Sequence, residues 1–245
     1  MTPYLVEAAC ALRRLARRRV LPAIVGLCAL FLAYAGLVNP VATARGALSA
    51  ATAIATFVLL IVSAGVIADD RERGRLAVAV THPAPPAVWV IGRWLAVWGV
   101  AAMVLGAASA ALLAVAGGPP GPGGVALAEA AALAHLAALA SLAVALSCGA
   151  GSTTQVLILL AFCVVGAVPP EIVAQPVGGA WAAGAARALW TALPTSWAVG
   201  RLHEWSLSGG APAPTLALVL ALQPVVWLSA GTRRLAVAEL AARGG

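Results

Sequence analysis

The side chains able to do acid–base or metal chemistry are few and far apart. The histidines are His82, His135 and His203; the acids are Glu7, Asp69, Asp70, Glu72, Glu129, Glu171, Glu204 and Glu239. There is no HExxH or GxSxG run, and no pair of carboxylates falls within an apolar stretch. Glu129 and His135 share one such stretch, but six positions apart on a helix they point roughly 120° away from each other. His203-Glu204 lies in a later mixed segment and reads as surface. Cys10, Cys28, Cys148 and Cys163 form no CxxC and read as small apolar fillers, not as a disulfide framework or metal site. All 15 basic residues are arginines. Without lysine there is no phosphate-loop GK[ST], no Schiff base and no lysine general base. Any ATP-hydrolysing engine must sit on another chain.

The elements that would position these residues are apolar. Of 245 residues 62% are hydrophobic and 9% charged, against about 45–50% and about 25% in a soluble domain. Too few charges remain to cover a water-facing surface. That excludes an ordinary soluble enzyme, a disordered tail and a nucleic-acid-binding domain, and leaves an integral membrane protein. The net charge of +7 then reads as a topology signal.

Residues 3–19 are expected to form an amphipathic interfacial helix. Leu5, Ala8, Leu12 and Leu15 gather on one side, and Glu7, Arg13, Arg14, Arg17 and Arg18 on the other, towards headgroups. Six spans follow, at about 20–38, 48–68, 94–116, 125–148, 155–168 and 216–231, in a single domain over residues 1–245. The first could be mistaken for a signal peptide cut after Ala33-Tyr34-Ala35, but its apolar run continues to Val38. The fifth is short: 14 residues are ~21 Å of helix against a ~30 Å hydrocarbon core. In the fourth, Ala131, Ala134, Ala138, Ser141 and Ala145 make a seam of small residues for close helix packing, and Leu133, Leu136, Leu139 and Leu142 take the other side. His135 lies at the border. It either lines a pathway or is a neutral histidine at a helix interface.

With six spans and the N-terminus inside, Arg13, Arg14, Arg17, Arg18, Arg19, Arg71, Arg73, Arg75, Arg93, Arg233, Arg234 and Arg243 fall on the cytoplasmic side, and Arg45, Arg187 and Arg201 outside. That asymmetry fits the positive-inside rule and puts both termini in the cytoplasm. The segment 171–213 holds Trp181, Trp190, Trp197 and Trp205 among apolar residues and Pro194. It is expected to fold as short helices dipping back into the outer interface, a re-entrant hairpin between the fifth and sixth spans.

The densest charge cluster, Asp69-Asp70-Arg71-Glu72-Arg73-Gly74-Arg75, is followed by Leu76, Pro83 and Gly92-Arg93. Mixed charges, a glycine, an apolar run and a proline suit a structured turn just below the membrane, able to dock on a partner. This stretch resembles the first cytoplasmic loop of ABC-2 type transporter permeases. There, charged residues precede Gly-Thr-Leu, an apolar run, a proline and a Gly-Lys opening the third helix. Gly74, Leu76, Pro83, Gly92 and Arg93 fall on those positions, with Arg75 in place of threonine and Arg93 in place of lysine.

The resemblance implies an all-α permease that dimerises and binds two ATPase subunits on its cytoplasmic side. The loop residues Asp70, Arg71, Glu72, Arg73, Gly74 and Pro83 would meet the ATPase, with Gly149–Thr154 as a smaller second contact. His135 would be a pathway candidate, and Trp181, Trp190, Trp197 and Trp205 an outer gate. It implies no cofactor or metal on this chain, ATP and Mg²⁺ being bound by the partner, and a place in the cytoplasmic membrane of a prokaryote. The cargo would be apolar or amphipathic, given how few ionisable groups lie in the spans. A narrower variant is the membrane subunit of the haem exporter used in cytochrome c maturation, which Asp69-Asp70, Gly74, Leu76, Pro83, Pro85 and Trp98 also suit. A membrane-embedded enzyme needs clustered acids or histidines, and none cluster; a scaffold or anchor without transport is the third reading, which charge reversals at Arg71, Glu72 and Arg73 would discriminate.

Overall fold

The computed structural model describes residues 2–17, 26, 43–64, 66–67, 70, 85–116, 121–174, 179–208 and 214–243. Among them the chain is all-helical. The helices are α1 (Pro3–Arg17), α2 (Ala44–Ser63), α3 (Pro86–Val115), α4 (Pro122–Ser147), α5 (Ser152–Val165), α6 (Pro170–Ala174), α7 (Ala180–Ala192), α8 (Ser196–Ser208) and α9 (Pro214–Arg243). Four of these are long and apolar enough to cross a membrane: α2, α3, α4 and Pro214–Val237 of α9. The expected first span, 20–38, lies outside the described residues apart from Gly26, as does the loop from Arg71 to Pro83.

The boundaries follow local chemistry. Thr43 caps α2, its hydroxyl oxygen accepting from the Gly46 N–H at 3.2 Å. α3 begins at Pro86, eight residues before the expected Trp94, because a proline suits the first helical position. Gly92-Arg93 is therefore inside the helix and does not open it. Pro122 starts α4 and Pro170 starts α6 in the same way. The expected fifth span is α5, only 14 residues.

α4 is the centre of the bundle, and its two faces have different partners. Leu136, Leu139 and Leu142 are buried in the main core with Ala47, Ala51, Val58 and Leu59 of α2 and Val90, Val97 and Leu105 of α3. On that side Trp94 and Trp98 stack with ring centroids 5.6 Å apart and planes 6° from parallel. Their indole N–H groups donate to the carbonyls of Ala137 (3.0 Å) and Leu133 (3.2 Å) on α4. The small-residue seam takes the other helices. Ala138 clusters with Ala198 and Leu202 of α8 and Leu216 and Leu220 of α9. Further along, a Cβ on Gly231 of α9 would come within 3.1 Å of Ala145 Cα, so backbones meet there almost directly, as small residues allow.

α8 lies alongside α4, not beyond its end. A Cβ on Gly124 would stand 2.7 Å from the Ser206 carbonyl oxygen, while Ala138, ~21 Å further along α4, also belongs to the shared cluster. At its other end α8 meets α5: the Trp197 backbone N–H donates to the Gly166 carbonyl at 2.9 Å. Each helix thus satisfies an end group the other leaves open. The end of α5 and the start of α8 therefore meet, with α6 and α7 lying between them in sequence. Because a Cβ at Gly124 would crowd the Ser206 carbonyl, Gly124→Ala is expected to push α8 outward, at about 1–3 kcal/mol for an overpacked contact. Hydrogen exchange would rise in 196–208 and stay unchanged in α2 and α3; unchanged exchange in α8 would contradict this docking.

Several buried polar groups in the core are matched within the bundle. The Gln155 amide nitrogen of α5 donates to the carbonyls of Ser63 (2.8 Å) and Ala143 (3.1 Å), tying three helices. The Ile67 N–H donates to the Ser147 hydroxyl at 2.9 Å. Thr52, Ser63 and Ser141 donate back to carbonyls of their own helices, a device that lets hydroxyls sit in an apolar helix.

Candidate functional site

A group of charged residues gathers at one end of the bundle. That end carries α1, Asp70, the start of α3, the end of α4 and the last turns of α9. There the Arg93 guanidinium is buried, its side chain 5% exposed, and it holds three elements together. Its Nη2 donates to Asp70 Oδ2 at 2.7 Å, and its Nε approaches Glu7 Oε1 of α1 at 3.2 Å without hydrogen-bond alignment. Arg14 of α1, half exposed, reaches the same Asp70 oxygen at 3.4 Å. The Arg93 guanidinium carbon also lies 5.4 Å from the centroid of the Trp89 ring, within cation–π range. A planar fork can serve two carboxylates on different elements at once, which an ammonium does less well.

Gly92 makes this approach possible. A Cβ there would stand 2.6 Å from Glu7 Cγ and 3.3 Å from the Ala8 backbone nitrogen. α1 therefore rests on the α3 backbone, with Ala8 and Ala11 buried beneath it. On the polar side of α1, Glu7 is partly buried against Arg93, while Arg13 and Arg14 are exposed. Tyr4, Leu5 and Val6 at the start of the helix are exposed as well.

The sites expected from sequence are dispersed. Asp70 is buried and paired within the chain, so it can position a loop but does not present its carboxylate to a partner. Arg71, Glu72, Arg73, Gly74 and Pro83 lie outside the described residues. In the second stretch expected to touch a partner, Gly149 abuts Arg234 of α9, where a Cβ would stand 2.9 Å from Nη1. The four tryptophans do not form one group. Trp197 and Trp205 pack on the α8–α9 cluster, Trp190 donates to the Val168 carbonyl at 2.9 Å, and Trp181 is almost fully exposed.

His135 is buried, and it has a companion not expected from sequence. His203 of α8, taken as surface, is 1% exposed. Both rings line a cavity of about 370 Å³ between α2, α4, α5 and α8. Among the described residues, Nδ1 of His135 and both ring nitrogens of His203 lack a hydrogen-bond partner. The Ala128 carbonyl is near enough to act on His203 but outside hydrogen-bond geometry. Leaving a buried donor or acceptor unmatched costs about 1–3 kcal/mol. The signal was available: Ala198, Val199 and Leu202 form one buried arc of the helix with His203 at its edge, and Glu204 lies opposite, paired with Arg201 at 2.9 Å. Among the described residues no group of three or more His, Cys, Asp or Glu could hold a metal ion.

No family model matches the chain, and neither does any curated protein.

Proposed function

We propose that this chain is the membrane-spanning permease subunit of an ATP-driven ABC-2 type exporter. It would work as a pair and be driven by ATPase subunits on separate chains. The observation that carries this reading is the junction at Arg93. It joins α1, the residue that opens the charged loop (Asp70) and the first turns of α3 through buried ion pairs, so a force on the loop or on α1 is passed to a long apolar helix. Such a lever is of use where an engine outside the membrane must move helices within it. The end bearing Arg13, Arg14, Arg93, Arg233 and Arg234 would be cytoplasmic, by the positive-inside rule. Closure of the ATPase subunits would press on this end, two copies would rock, and cargo would leave past α6–α8, acting as a re-entrant outer hairpin.

The loop itself supplies the test. Reversing three charges together (Arg71→Glu, Glu72→Arg, Arg73→Glu) is expected to abolish transport and release the ATPase from the purified complex, with normal amounts of chain in the membrane. Each reversal turns an attraction into a repulsion at one contact. A complex that keeps its ATPase after all three reversals would refute docking through this loop.

A further inference from the structure

We propose that the cavity walled by His135 and His203 is a binding site for an uncharged, mainly apolar molecule carrying a hydroxyl or carbonyl group, entering sideways from the bilayer. The cavity is about 370 Å³, within the ~300–1,000 Å³ range of small-molecule sites. Its wall is mostly apolar, with a few converging polar groups. Thr52 and Thr56 come from α2, His135 from α4, and Ser196 and His203 from α8. Among the described residues no charged side chain lines it. Arg45 and Glu204, outside that lining, pair with each other at 3.8 Å. An ionised ligand would therefore lie unpaired in an apolar wall, which is costly.

Three imidazole nitrogens and the Ser196 hydroxyl lack partners among the described residues, and both rings are at least nine-tenths buried. A neutral imidazole offers one donor and one acceptor. These nitrogens have almost no free surface of their own, so a hydroxyl or carbonyl entering the cavity would pair with them as a ring turns towards it. The mouth is flanked by Phe57 of α2 and Leu160 of α5, each about half exposed, an opening suited to a molecule already dissolved in the acyl chains. The site stands whether or not the chain exports what it binds.

The test is photolabelling of the full chain in lipid vesicles with a long-chain alcohol carrying a diazirine. The same chain as a carboxylic acid and as a plain hydrocarbon serve as the other two arms. Labelling by the alcohol is expected to saturate, to be displaced by unlabelled alcohol and to map to α2, α5 and α8. His203→Leu is expected to lower it about tenfold, with His203→Asn restoring most of it. The thermal midpoint of ligand-free His203→Leu should hold or rise, since leucine removes an unmatched polar group. Labelling spread over all lipid-facing helices, or equal labelling by alcohol and hydrocarbon, would overturn the proposal. So would labelling indifferent to His203→Leu, or a fall in that variant's thermal midpoint, which would make the histidine structural.

Discussion

Replacing Arg93 with leucine is expected to cost about 3–5 kcal/mol of stability, the usual penalty when one partner is taken from a buried ion pair. The variant would take the 2.7 Å guanidinium contact from the buried Asp70 carboxylate and leave Glu7 facing an apolar side chain. The loss comes from stranded charge more than from lost attraction, so removing the acids as well should undo much of it. Arg93→Leu combined with Asp70→Asn and Glu7→Gln is expected to recover more than half of the loss, measured as the denaturation midpoint in a fixed detergent. Arg93→Lys should fall between, because one ammonium cannot fork to both carboxylates. Equal midpoints for Arg93→Leu and the native protein would mean that water screens the junction.

Gly92→Leu is expected to act on the same junction from the other side. The first atom added at Gly92 already meets Glu7 Cγ at 2.6 Å and the Ala8 nitrogen at 3.3 Å. Neither is the free end of a flexible chain, so α1 has to move away as a body. Overpacking of this kind costs about 1–3 kcal/mol, roughly a 5- to 150-fold shift towards a detached α1. The arginines of α1 provide the readout. Trypsin cleavage after Arg13 and Arg14 should accelerate by that factor, while the packed pairs α2–α3 and α4–α9 stay protected. Unchanged cleavage would show that α1 is not held by its contact with Gly92.

What could be read from sequence, and what could not, divides along physical lines. The small-residue seam of α4 was legible because close backbone approach admits almost nothing larger than alanine or serine, and α8 and α9 are found on it. The four long helices were legible from their apolar runs, with ends displaced where a proline opens a helix, as at Pro86. Partner choice among polar groups was not legible. Glu7 and Arg14 share the polar side of a helical wheel, and nothing local says that Arg93 will pair with the one and Asp70 with the other. His203 escaped notice for a related reason. Its neighbour Glu204 and nearby Arg201 mark a surface, yet the next face of the same helix is pressed against α4. The meeting of α5 and α8 depends on one backbone hydrogen bond across a 29-residue segment, 167–195, which no local pattern encodes.

The most direct test of the proposed function is purification of the tagged chain from its native membrane in mild detergent, with the co-purifying proteins identified and counted. An ATPase subunit carrying the phosphate-loop lysine this chain lacks is expected, in a one-to-one ratio with the permease and lost on reversal of Arg71, Glu72 and Arg73. A complex without an ATP-hydrolysing partner would contradict it.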